Sequence, residues 1–252
     1  MEGEKKRVLL RVAYDGTAYH GWQRQPNGVT IQETLEEALT GLLREKITVT
    51  GASRTDAGVH ALCNIAVFDT CARIPAQKIC YALNQRLPED IRITESREAA
   101  LDFDLKKCRT QKTYEYKIIN AAFPDPTKRL YSHFTYFPCN VERMNMAAGC
   151  LVGEHDFKSF CTVGAQVETT IRRVTDIRVT REGKEITIAV SGNGFLYNMV
   201  RIIAGTLLEV GYGRMEPERV RQILESRDRR NAGPTAPARG LCLTRLEVDG
   251  LE

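Results

Sequence analysis

The sequence predicts an α+β protein, and three observations lead there. Apolar residues alternate over strand-length runs in both halves of the chain, and segments of helical spacing stand between those runs. The order strand-helix-strand-strand-helix-strand is spelled twice, with the periodicity resetting near 102–109. That order is the split βαβ plan, also called ferredoxin-like or RNP-like. It divides the 252 residues into an N-terminal half, 1–104, and a C-terminal half, 105–252. Halves of this kind are expected to join their antiparallel or mixed sheets and to leave a cleft, the ordinary place for an active site. The repeat is one of pattern, without residue-by-residue similarity.

In the first half, "KKRVLLRVAYDG" places Val8, Leu10, Val12 and Tyr14 on one face of a strand and Arg7 and Arg11 on the other. "TIQETLEEALTGLLRE" opens with a capping box, Thr30 and Glu33, and repeats Ile31, Leu35, Leu39 and Leu42 at helical spacing. Strands are expected over 46–50 and 60–69. A helix follows from Pro75 to Arg86, with proline in its first turn, and then a strand near 91–96.

The second half repeats this grammar. "RTQKTYEYKIIN" alternates as a strand and "VERMNMAAGCLVG" reads as a helix. "TIRRVTDIRVTREGKEITIAVSG" reads as a hairpin turning at Glu182–Lys184. A long apolar helix is expected over 195–210 and a short one over 216–226. "GLCLTRLEV" closes the chain as a strand.

Composition narrows the function. Apolar residues make up 42% and charged residues 27%, the balance of a water-soluble globular protein. The 36 Lys and Arg against 32 Asp and Glu give a net charge of +4, which permits a nucleic-acid partner without requiring one. No signal-peptide pattern opens the chain. "GFLYNMVRIIAGTLLEVGYG" is apolar enough to suggest a membrane span, but Arg201 sits in its middle, so a buried helix and a cytoplasmic protein are expected. The eight cysteines are read as free thiols, and neither they nor the four histidines show metal-ligand spacing.

Chemistry concentrates in "TVTGASRTDAGVHALCNIAVF", residues 48–68. A short acid beside glycine ordinarily caps its own turn. Three features set Asp56 apart: Arg54 stands two residues before it, Gly51 and Gly58 permit close backbone approach, and the loop opens from rigid strands. Tyr114, on an alternating strand, is by default a core aromatic. Arg201 interrupts an apolar helix, so it either snorkels outward or is paired. His20 and Trp22 share the loop "YHGWQRQP", where Trp22 either touches RNA or anchors the loop to the core. In "GEHDFKSF", His155 and Asp156 invite a dyad reading, but a structural role at a helix end is preferred.

"GASRTDAGVHA" closely resembles the signature of the tRNA pseudouridine synthases of the TruA type, which modify uridines 38, 39 and 40 of the anticodon arm. "YDGTAYHGWQRQP", "RTQKTYEYKI", "GNGFLYNMVRIIAGTLLEVG" and "TAPARGLCLTRLEV" resemble further segments of that family, in family order, from about residue 8 to 248. The sequence departs at Ser53, where the family often has glycine, and at Cys242, where many members carry an aromatic residue. The resemblance implies Asp56 as catalytic nucleophile and Tyr114 stacked on the target uracil. It also implies Arg201 paired with the Asp56 carboxylate and Leu243 as an apolar wall. It further implies a homodimer whose two subunits both contact one tRNA.

The reaction breaks N1–C1′ of uridine, turns the uracil and joins C5 to C1′. No electrons or phosphate change hands, so no cofactor and no metal are expected. An ionised carboxylate suffices, adding to C6 of uracil or acting at the sugar, and a weak base must take the C5 proton. Arg54 is expected to help hold substrate, and Arg24, His20, Lys112, Arg172 and Arg173 to contact RNA. The run Arg227, Arg229 and Arg230 offers further phosphate contacts. The alternative is a non-catalytic RNA-binding module, since sheets of this plan bind RNA by stacking bases on aromatics. The intact Arg54-Thr55-Asp56 favours the enzyme. An aspartate-nucleophile hydrolase or phosphotransferase would want a second acid beside Asp56 for a metal, and none is there.

Overall fold

The computed structural model describes residues 4–164 and 167–251. Among them are ten strands and five α-helices, in two compact units. One unit runs to Arg109 and takes in the chain from Leu246 onward; the other is Thr110–Arg245.

In the first unit the order is β1 (Lys6–Tyr14), α1 (Ile31–Leu43), β2 (Thr50–Gly51), β3 (His60–Thr70), α2 (Ala76–Asn84) and β4 (Ile91–Ala99). β1 lies between β4 and β3, antiparallel to both. Ala66 of β3 faces Leu10 on one side and Gly51 on the other, so β2 pairs β3 away from β1 and the strands run 4-1-3-2. Val8, Leu10, Val12 and Tyr14 are all buried, as the alternation requires. Arg7, facing the other way, is ion-paired with Asp69 at 2.7 Å.

Helix α1 starts where Thr30 caps it, its hydroxyl accepting from the Glu33 amide at 3.3 Å. The other half of the expected capping box is replaced, because the Glu33 carboxylate pairs with Arg24 at 3.2 Å. Ile31, Leu35 and Leu39 are fully buried, whereas Leu42 is half-buried. The strand expected over 46–50 shrinks to Thr50–Gly51. The amides ahead of it bond to side chains of α1: Val49 N–H donates to the buried Glu36 carboxylate at 3.0 Å and Ile47 N–H to Thr40 Oγ1 at 3.2 Å. Side chains thus claim donors that a ladder would need.

The second unit holds β5 (Thr110–Asn120), β6 (His133–Thr135), α3 (Val141–Gly149), β7 (Gly153–Asp156), β8 (Ile171–Glu182), β9 (Glu185–Gly192), α4 (Met199–Gly211), α5 (Arg219–Ser226) and β10 (Leu241–Val248), whose last residues count with the first unit. Its strands run β10-β5-β9-β8-β7, and β6 adds a parallel pairing at the end of β5. The hairpin turns at Gly183, whose φ of 58° suits glycine, with Glu182 facing Glu185. Three expectations need correction. The long apolar helix begins at Met199 rather than Phe195, because Asn198 sits in the left-handed region (φ 61°) and breaks the helical path. The short helix begins at Arg219. Two short strands, β6 and β7, were not foreseen, and β7 places His155 and Asp156 on a strand rather than at a helix end. Most of α4 is buried, and among the described residues no helix is long and apolar enough to cross a membrane.

Candidate active site

Asp56 lies half-buried in the loop between β2 and β3, with Arg54 exposed two residues earlier. Backbone contacts fix the loop on both sides of the acid. Ala52 N–H donates to Ile65 O at 2.8 Å, Trp22 N–H to Thr55 O at 3.0 Å, and Val59 N–H to Asp56 O at 3.1 Å, closing a tight turn. Gly58 takes φ 75° in that turn, a conformation that disfavours any side chain.

The segment after β1 packs directly on this loop. Gly58 N–H donates to Tyr19 O at 3.2 Å. Gly21 (φ 85°) approaches so closely that an added Cβ would stand 2.6 Å from Thr55 O. At the loop's exit, His60 Nδ1 lies 3.1 Å from Gly16 N. Trp22 anchors the segment to the core: it is buried and 5.9 Å from the Tyr14 ring, and a Cβ on Gly51 would stand 2.4 Å from its indole. His20 stays exposed beside it. The structure therefore brings Asp56, Arg54 and the His20 segment together on one unit.

In the second unit, Lys112 and Tyr114 share one face of β5, since residues two apart point the same way. The Tyr114 ring is buried and meets Phe195 edge to face at 5.4 Å, leaving the ring plane perpendicular to its neighbour. Leu243, fully buried, comes from the neighbouring strand β10. On α4, Arg201 is held in a set direction: Nε donates to Ala236 O at 2.8 Å and Nη1 to Asn198 Oδ1 at 2.6 Å. The left-handed Asn198 that delays α4 is thus also a clamp on its arginine. Burial lowers the Lys112 ammonium to about 8. Among the described residues, no group of three or more His, Cys, Asp or Glu could hold a metal ion.

The chain matches the family described as tRNA pseudouridine synthase over residues 11–106 and 147–248. It belongs to the tRNA pseudouridine synthase family. It is similar to the tRNA pseudouridine synthase A of Acetivibrio thermocellus, 46% identical over 241 residues that cover 96% of this chain and 99% of the relative. The protein of the same name in a Thermoanaerobacter species (strain X514) is 45% identical, with coverages of 96% and 99%. That of Caldicellulosiruptor bescii is 46% identical, covering 94% and 98%. As a member of this family the synthase is an isomerase, and tRNA is the substrate the family implies.

The basic side chains of the synthase are in very different states. Arg24 is already ion-paired, to Glu33 at 3.2 Å and to Glu36 at 3.3 Å. Arg172 donates to its own strand's entrance, at Thr169 O and Ile171 O, and burial lowers its pKa. Arg173, its neighbour on β8, is exposed. In the run after α5, Arg227 pairs with Asp156 at 3.2 Å, Arg230 with Asp228 at 2.7 Å, and Arg229 donates to Thr235 Oγ1 at 3.1 Å. His155 and Asp156 form no dyad: His155 Nε2 lies 3.0 Å from Val152 O, and Asp156 accepts from Thr170 Oγ1 at 2.6 Å.

Sequence reasoning passed over the residues that brace the Asp56 loop. Asn64, fully buried, and the hydroxyls of Tyr14 and Thr55 form a hydrogen-bonded set behind it. One signal was available: an asparagine inside the otherwise apolar run "CNIAVF" has to spend its amide on something.

Proposed function

We propose that the synthase converts uridine to pseudouridine at positions 38, 39 and 40 of the tRNA anticodon stem-loop, with Asp56 as nucleophile. The observation that carries this reading is the Asp56 loop itself. An acid of intermediate exposure stands two residues after an exposed arginine, with backbone hydrogen bonds on both sides of it. A turn that served only itself would not need support from two other segments, the stretch after β1 and strand β3.

The carboxylate attacks either C6 of the uracil or the sugar, and N1–C1′ breaks. The base turns, C5–C1′ forms and the bond to the carboxylate breaks, by elimination from C6 or by displacement from C1′. C5 gives up its proton and N1 gains one, so atoms balance without a co-reactant and the free carboxylate is restored. Arg54 and Arg201 supply positive charge that favours the ionised acid. Tyr114 gives the turned-out uracil a stacking surface and Leu243 an apolar wall. Lys112, Arg173 and His20 contact RNA, with Arg24 and Arg172 following if they exchange their present partners for phosphate. The reading draws residues from both halves, 1–104 and 105–252, and includes a homodimer on one tRNA. Two ferredoxin-like halves are part of it. In support, β1-α1-β2-β3-α2-β4 is arranged 4-1-3-2, and β10-β5-β9-β8 repeats that order.

The test uses three unmodified tRNA transcripts, each with a single uridine at 38, 39 or 40, and maps pseudouridine by carbodiimide-dependent primer-extension stops. Stops at each of the three positions with wild type, and none elsewhere, are expected. Modification confined to another part of the tRNA would overturn the assignment.

A further inference from the structure

The loop that carries Asp56 is tied to the strands behind it by side chains that the chemistry above does not use. Between Val12 and Tyr14 the β1–β3 ladder slips: Val12 faces Asn64, but Tyr14 faces Ala61. Three residues of β3 therefore span two of β1, a bulge of the kind that re-aims side chains beside functional sites. β1 also slips against β4, between Arg11 and Val12. This end of the strand is thus irregular on both edges, where Tyr14 leaves it.

Asn64 exploits that geometry. Its Oδ1 accepts from Ser53 N at 3.2 Å and Ile65 N at 2.9 Å. Its Nδ2 donates to Ser53 O at 2.9 Å and Tyr14 Oη at 3.3 Å. Both acceptor sites and both donors of the amide are used, so only one orientation satisfies the set. Tyr14 Oη, already accepting from Asn64, is 2.7 Å from Thr55 Oγ1. Asn64, Tyr14, Ser53 and Thr55 are all buried, so the bonds are sheltered from water and from RNA.

Resting on the reading of Asp56 as nucleophile, we propose that Asn64 and Tyr14 are positioning residues for it. Asn64 grips both backbone groups of Ser53, Tyr14 grips the Thr55 hydroxyl, and the carboxylate one residue further on is presented in a single direction. Aligned attack depends on such placement, and small displacements are costly in rate.

The experiment measures single-turnover tritium release from 5-tritiated-uridine tRNA by Tyr14→Phe, Thr55→Val, Thr55→Ser and the Tyr14→Phe/Thr55→Val double variant, with tRNA affinity and thermal midpoint for each. Tyr14→Phe removes the bonds to Thr55 and Asn64 and is expected to slow the chemical step about tenfold. Affinity should stay near wild type, and the midpoint should fall only by the few degrees that a lost buried bond costs, with each variant still folded at the assay temperature. The double variant should be no slower than the slower single one, because both remove the same bond. Thr55→Ser should recover most of what Thr55→Val loses. Folded single variants within about twofold of wild type, or losses that multiply in the double, would overturn the proposal. Asp56→Asn is measured alongside. If it still releases tritium, the nucleophile reading fails; if it is inert while Tyr14→Phe is unaffected, the positioning claim alone fails.

Discussion

Lys112, on β5, is among the residues proposed to contact RNA. Burial disfavours its charged form, lowering the ammonium to about 8. Below that pH it is a cation that can face phosphate; above it the charge is lost. The tRNA affinity of wild type is therefore expected to fall between pH 7 and 9, and Lys112→Met should flatten that part of the profile. Fluorescence anisotropy at constant ionic strength reads the difference. Gly21 makes a second case, at φ 85° with the Thr55 carbonyl where a Cβ would go. Gly21→Ala is expected to destabilise the fold by about 1–3 kcal/mol, seen as a lower urea midpoint with an unchanged slope. At this scale the sequence singled out Asp56 as a candidate, through Arg54, the flanking glycines and the resemblance of the whole segment to a known signature. It was silent about Tyr14, because a tyrosine on an alternating strand reads as core, and its hydroxyl's partner lies 41 residues away.

Among the elements, α1 and the short segment before β2 depend on one buried acid. The Glu36 carboxylate accepts from Val49 N–H and from Gln32 Nε2, each at 3.0 Å, and faces Arg24 at 3.3 Å. Glu36→Ala leaves the Val49 amide and the Arg24 charge without that partner. It is expected to cost about 1–3 kcal/mol, read by chemical denaturation. The same contact explains a limit of legibility. Residues 46–49 have strand-like composition, but their donors go to side chains of α1, a tertiary choice that local periodicity does not register. Strands with long apolar alternation (β1, β3, β5, β8 and β9) were legible. β7 is only four residues, Gly153–Asp156, three of them polar, so it had no periodicity to display.

For the whole molecule, a net charge of +4 does not tell which cations are already paired. Arg24, Arg227 and Arg230 are spent on Glu33, Glu36, Asp156 and Asp228, whereas Arg173 is exposed on β8. Removing Arg173 is expected to weaken tRNA binding and lower the slope of log affinity against log salt by about 1. Arg230→Ala should change both little. Charge counting could not have ranked these arginines, since the partners of Arg24 and Arg227 lie on other elements. The α+β class was readable because alternating strand and helix runs depend only on local pattern.

In the proposed reaction Asp56 performs the first covalent step. The most direct measurement is tritium release from tRNA carrying 5-tritiated uridine, wild type against Asp56→Asn, with tRNA binding followed in parallel. Release by wild type, and none by a variant that still binds tRNA, is the predicted result. Release by Asp56→Asn at a rate near wild type would contradict it.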